Sequence, residues 1–271
     1  MDKKIGIFDS GLGGLSILKE ILRELPEYSY VYLGDNARVP YGGRSTELIY
    51  QFTKQAVDFL FENNCQLIIL ACNSATASSL RKIQQEYLPK HYPRKKVLGV
   101  IRPAVEKVIE LKAKRVGVIG TYATVNSKSF VHEIKKLNPQ VEVYQNAAPL
   151  LVPIIEEDEI NWAGCDLILR KYLDPLIKKK IDTLILGCTH YGLIADKIQK
   201  IIGKNVNVIT EGEETAEKLK NYLKRHAELE RQLIKNMSRQ YFVTDLNERY
   251  KKMAELFLGR PIPLTRSNLR G

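Results

Sequence analysis

The chain has 271 residues, 44% hydrophobic and 27% charged, with 42 basic against 31 acidic residues for a net charge of +11. That length favours two α/β units of roughly 100–150 residues each over one core, in a composition typical of soluble globular proteins. No apolar run approaches the ~20 residues that span a bilayer, four cysteines make no disulfide framework, and no CxxC pair or Cys/His cluster has metal-ligand spacing.

In chain order, Met1-Asp2-Lys3-Lys4 runs straight into a strand at 5–8, which leaves no room for a signal peptide and sets a cytoplasmic expectation. Further strands are expected at 30–33, 67–71, 97–100, 116–119, 141–144, 183–186 and 206–209, with helical patterns such as 46–61 and 160–179 between them. Strand–helix alternation of this kind predicts mostly parallel sheets with helices on both faces. Ligands in such sheets lie beyond the carboxyl ends of the strands. From Glu211 onward the chain reads as helical and highly charged, then as a strand at 241–244 and a helix at 247–258. That tail is too short for its own domain and is expected to fold back onto the first half.

Two landmarks recur in order. Ile5-Gly6-Ile7-Phe8-Asp9-Ser10 is echoed by Val116-Gly117-Val118-Ile119-Gly120-Thr121, and Ile68-Ile69-Leu70-Ala71-Cys72-Asn73-Ser74 by Leu184-Ile185-Leu186-Gly187-Cys188-Thr189-His190. The expectation is two pseudo-symmetric α/β domains, one of residues 1–98 with 209–271 and one of 99–208, with a site in the cleft between them.

Cys72 and Cys188 each end an apolar strand and are followed at once by polar residues. At such a strand-to-helix turn a thiolate is favoured by backbone N–H groups and the helix N-terminus. Cys65 and Cys165 lack that context and read as small buried hydrophobes. Two facing thiols suit an inversion at carbon without a cofactor, which needs a base on one face and an acid on the other. A Cys–His hydrolase would need only one cysteine.

Asp9 precedes Ser10-Gly11-Leu12-Gly13-Gly14, a glycine-rich turn without dinucleotide-fingerprint spacing. It reads as an anion-binding turn, with Asp9 either orienting a substrate ammonium or capping the next helix. The long segment from Gly34 to Ser45 presents Tyr41-Gly42. Of four histidines only His190 lies at a strand end; His91, His132 and His226 are expected at the surface. The basic groups Arg94-Lys95-Lys96 and Lys178-Lys179-Lys180 sit beside turns without interleaved aromatics. Specific nucleic-acid binding is therefore not expected, and a small anionic substrate accounts for the charge as well.

Taken together, Phe8-Asp9-Ser10-Gly11-Leu12-Gly13-Gly14, Gly34-Asp35 with Pro40-Tyr41-Gly42, Ala71-Cys72-Asn73-Ser74-Ala75, Gly120-Thr121 with Thr124, and Leu186-Gly187-Cys188-Thr189-His190-Tyr191 closely resemble the bacterial glutamate racemases, in order and spacing from residue 5 to about 259. The resemblance implies D-glutamate supply for peptidoglycan, with Cys72 deprotonating D-glutamate and Cys188 L-glutamate, assisted by Asp9 and His190. It implies substrate contacts at Asp9, Ser10, Tyr41, Gly42, Asn73, Ser74, Thr189 and His190, a further lining stretch at Thr121 and Thr124, and a glutamate at Glu156. No pyridoxal phosphate, metal or nucleotide is expected, there is no membrane partner, and a homodimer stays open. The chain departs from the pattern at Ser74 (threonine is common), Gly192 (proline is usual), Ala147-Ala148 and Thr210-Glu211-Gly212, where an Asp-Ser segment is common. Two alternatives stand beside this reading: a racemase of the same fold acting on aspartate or another amino acid, and a basic protein that binds DNA or a topoisomerase.

Overall fold

The computed structural model describes residues 3–269 and contains two wholly parallel sheets. The first is built from β1 (Lys4–Asp9), β2 (Tyr30–Gly34), β3 (Cys65–Leu70), β4 (Lys96–Gly99), β9 (Arg239–Val243) and β10 (Leu264–Arg266); the second from β5 (Arg115–Gly120), β6 (Glu142–Ala147), β7 (Thr183–Gly187) and β8 (Asn207–Ile209). Their orders are β10-β9-β2-β1-β3-β4 and β6-β5-β7-β8. Each therefore contains the same four-strand run, with first, second, third and fourth strands ordered 2-1-3-4. The echoed sequence landmarks lie on equivalent strands, β1 with β5 and β3 with β7.

The central strands β1, β2, β3, β5 and β7 are buried almost throughout, as expected of parallel sheets covered on both faces. The outer strands β4, β6 and β8 are only partly covered. One apolar core runs from Ile5, Ile7 and Leu15 through Ile119, Leu186 and Tyr191. Separate cores fill the opposite faces of the first sheet, around Phe8, Val57 and Ile68, and of the second, around Val105, Val118 and Phe130. Each fully buried Ile or Leu contributes about 1.5–3 kcal/mol relative to exposure.

The tail does fold back. β9 pairs with β2, and β10, which hydrophobic alternation did not announce, extends the edge beyond it. The helix Glu211–Arg225 bridges the halves: Lys220 reaches Glu24 at 3.1 Å on one side, and Lys107 reaches Glu214 at 3.1 Å on the other. No helix among the described residues is long and apolar enough to cross a membrane. His91 and His132 are exposed as expected, but His226 is half-buried, because its ring packs on Tyr222 with 4.2 Å between centroids.

Candidate active site

The 2-1-3 order reverses direction beside the first strand of each sheet, and the carboxyl ends flanking that reversal form a crevice. In the first sheet those ends lead to Asp9 and Cys72; in the second, to Thr121 and Cys188. The two crevices are brought together. The Ser74 and Thr121 hydroxyls lie 2.9 Å apart, the Thr189 hydroxyl donates to Asp9 Oδ1 at 3.4 Å, and Ser16 Oγ donates to the Thr189 carbonyl at 3.1 Å. Approach this close needs small residues. A Cβ on Gly13 would lie 2.5 Å from Thr189 Oγ1 and 2.6 Å from His190 Nδ1, and one on Gly42 would lie 2.5 Å from Thr121 Cβ.

Cys72 is itself the N-cap of the helix Asn73–Lys82: its sulfur accepts from the Ala75 N–H at 3.4 Å and its thiol donates to Ser10 Oγ at 3.3 Å. A helix N-terminus favours a thiolate. Here burial, with the Asp9 charge beside it, outweighs that and pushes the Cys72 thiol up to about 12.

Cys188 follows β7, and no regular helix starts directly after it. The chain passes through a single tight turn at Tyr191–Ile194 before the helix Ala195–Ile202. Its polar neighbour is a side chain: His190 Nδ1 lies 3.8 Å from Cys188 Sγ, while Nε2 lies 3.0 Å from Glu156 Oε1. Burial disfavours the charged imidazole, but the contacts with Cys188 and Glu156 outweigh it and raise His190 to about 10. Phe257, from the helix Glu248–Leu258, closes over the His190 ring edge-on at 5.1 Å.

Asp9 is fully buried, and its carboxyl is raised by that burial against the opposing pull of His190. Its Oδ2 accepts from the Gly11 N–H at 2.9 Å. The glycine-rich turn thus offers this N–H to a side chain of its own loop, an Asx-type turn, which modifies the expectation of a free anion-binding turn. Gly13 holds the N-cap position of the next helix without a side-chain bond, and the Asp9 carboxyl meets the Gly14 N–H at the start of that helix. Thr121 caps the helix Tyr122–Asn126 through Thr124 N–H and also meets the Thr124 hydroxyl at 3.2 Å. Tyr41 donates its hydroxyl to Asp35 Oδ2 at 2.5 Å, which leaves the neighbouring Gly42 against Thr121.

Three residues outside the expected set join this region. Asp35 holds Tyr41 and also accepts from Thr244 at 2.9 Å. Phe257 comes from the tail. Glu211 accepts from Asn73. Sequence signalled Asp35, as part of the Gly34-Asp35 motif, and Glu211, as a departure from the racemase pattern, but not Phe257. Among the described residues no cluster of three or more His, Cys, Asp or Glu side chains is disposed to hold a metal ion.

Two parallel sheets of the same strand order thus meet at one region, each with a cysteine just after its third strand. The chain belongs to the Asp/Glu/hydantoin racemase family, which it matches over residues 5–219. It is 40% identical over 259 residues to a glutamate racemase of Geobacter metallireducens, covering 95% of this chain and 93% of that one. Among solved structures it is similar to a glutamate racemase isoform of Bacillus anthracis, with a TM-score of 0.90, 35% identity and 98% of each chain covered. It is also similar to the glutamate racemase of Francisella tularensis in complex with D-glutamate, with a TM-score of 0.89, 35% identity, and 99% of this chain and 98% of that one covered.

Proposed function

We propose that this chain interconverts L- and D-glutamate, with Cys72 and Cys188 as the two proton-transfer groups. The observation that carries the reading is the unequal setting of two equivalent cysteines. Burial and Asp9 push the Cys72 thiol up to about 12, while His190, raised to about 10, lies 3.8 Å from Cys188 Sγ, where its positive charge can balance a negative one. That pairing of one acid with one base is the state needed to process L-glutamate. The Cys188 thiolate takes the α-proton from one face, and the Cys72 thiol delivers its proton to the other. The products are D-glutamate, a Cys188 thiol and a Cys72 thiolate, which is the state that processes D-glutamate in return.

An amino-acid α-hydrogen is so weakly acidic that the carbanion must be stabilised where it forms. Keeping the α-ammonium charged does part of this, and Asp9 with Asn73 is suited to hold it. Backbone N–H groups after the strand ends, with the Ser10, Ser74, Thr121, Thr124 and Thr189 hydroxyls and the Tyr41-Gly42 turn, are suited to the carboxylates. Gly13 and Gly42 let the halves close on the substrate and exclude water. The reading treats residues 1–98 with 209–271 as one domain and 99–208 as the other. Both thiols come from one chain, so it requires no second copy.

Glutamate is favoured over aspartate by the identity of relatives that match nearly end to end. Supply of D-glutamate to peptidoglycan in the cytoplasm follows from the same reading. The test is circular-dichroism detection of L-glutamate racemisation by purified protein with no added cofactor, after exhaustive dialysis against a chelator and with a carbonyl reagent present. Full turnover is expected, with aspartate a poor substrate. Loss of turnover under those conditions, or faster racemisation of aspartate, overturns it.

A further inference from the structure

Glu211 opens the helix Glu211–Arg225 in the segment where this chain departs from the racemase pattern, and it is only 4% exposed. Its Oε2 accepts from Asn73 Nδ2, and its Oε1 has no hydrogen-bond partner among the described residues. Asn73 is 2% exposed, and its Oδ1 likewise has no partner among them. A buried carboxyl fixed to one end of a buried amide whose other end is unused does more than fill space, because a buried polar atom left without a partner is costly. Glu211 also lines a cavity of about 220 Å³ together with Ser16, Cys188 and Thr189, while its bond to Asn73 ties it to the loop after Cys72.

We propose that Glu211 is a positioning residue for the racemase reaction: by taking the Asn73 N–H it fixes the amide so that Oδ1 stays free to accept from the substrate α-ammonium. The inference rests on the glutamate-racemase reading of the site. An amide rotated the other way would present N–H groups to the ammonium and repel it. Burial, with the Asp9 charge added, pushes the Glu211 carboxyl well above the usual range despite the Asn73 bond. The shift favours the protonated form, which adds no second negative charge behind the ammonium site that Asp9 serves.

The experiment compares wild type, E211A, E211Q, N73A and the N73A/E211A double variant, measuring kcat and KM for both glutamate enantiomers alongside thermal melting. E211A is expected to raise KM roughly tenfold, the factor of one hydrogen bond of about 1.4 kcal/mol, with a smaller change in kcat. E211Q keeps an acceptor for Asn73 without charge and is expected to recover most of that loss. In the N73A background, removing Glu211 is expected to change KM by less than about twofold, since its partner is gone. An E211Q enzyme as impaired as E211A, or additive effects in the double variant, overturns the proposal. So does an E211A enzyme with wild-type KM. A wild-type protein that does not racemise glutamate overturns the underlying reading instead, and the two failures are told apart by the wild-type control.

Discussion

The Cys72 and Cys188 half-sites occupy the same place in the same four-strand order, yet their chemistry differs. Cys72 leads directly into a ten-residue helix, donates to Ser10 and lies beside the Asp9 carboxyl. Cys188 leads into a short turn and lies beside His190, which Glu156 backs. Backbone geometry alone would give the Cys72 half-site the better thiolate, since it has the helix N-terminus. Side chains work against this: burial and a neighbouring acid push the Cys72 thiol up, while His190, itself raised, faces Cys188. On the proposed reading, the shared strand order is the frame that offers one group to each face of the substrate carbon. The loop residues then make the two surroundings unequal, with Asp9 beside one sulfur and His190 beside the other.

Removing either sulfur tests the frame and has the largest expected effect. Cys72→Ser and Cys188→Ser should each lower racemisation by about 10³-fold or more, within the range of a lost acid or base, with binding retained. Elimination of HCl from the enantiomers of β-chloroglutamate needs one base only. Each variant should therefore process one enantiomer and fail with the other, D for Cys72 and L for Cys188 in the parent enzyme. Equal loss of both enantiomers in both variants would break the division of labour.

His190→Ala sharpens the comparison, because it acts on one half-site. Racemisation should fall roughly 100-fold, and equally in both directions, since the two enantiomers have the same free energy and fix the ratio of kcat/KM values at one. Elimination should separate what racemisation cannot: the Cys188-dependent enantiomer should slow by a similar factor, the Cys72-dependent one by much less. Equal slowing of both would mean that His190 serves closure of the halves and not the Cys188 sulfur.

Much of this arrangement is legible in the residues. Every strand expected from β-branched runs appears, with ends within a few residues, because short apolar strands bounded by polar turns leave few alternatives. Cys72, Cys188, Asp9, Thr121 and His190 were findable because a strand end in a parallel sheet faces the ligand crevice. What sequence could not give is the contacts between distant segments. Nothing local places Glu156 on His190 Nε2, Phe257 over the same ring, or Glu211 on Asn73. β10 is three residues at a sheet edge, too short for alternation to register.

Closure of the halves is tested by Gly42→Ala, with a more moderate expected effect. The added methyl would overlap Thr121 at 2.5 Å, and Thr121 sits in a hydroxyl network with Ser74 and Thr124. The halves must separate by a fraction of an ångström to admit it. Activity should fall about tenfold, since small misplacements at a reacting centre are costly. Both half-sites should suffer alike, so the loss should appear in both elimination reactions. A loss confined to one enantiomer would show that Gly42 serves a single half-site.

The smallest effect concerns the second step of the His190 chain. Glu156 lies 3.0 Å from Nε2 and is one of the groups that raise His190 to about 10, well above the ordinary histidine value of about 6.5. A raised histidine is charged at lower pH and loses its charge as pH climbs through its folded value. The contribution of its pairing to stability is therefore complete below about pH 6.5 and is lost on the way to pH 10. In Glu156→Gln the carboxylate is gone while the contact can persist, so His190 should lose its proton at lower pH. Turnover near neutrality should fall only a few-fold, because His190 still has Cys188 beside it. The alkaline limb of kcat/KM should move to lower pH by the same amount in both directions, and the His190 ring should titrate earlier when followed by NMR. A Cys72-dependent elimination limb that stays fixed while the Cys188-dependent limb moves would place the effect in one half-site. An alkaline limb unchanged by the substitution would mean that Glu156 holds the His190 ring in place without setting its charge.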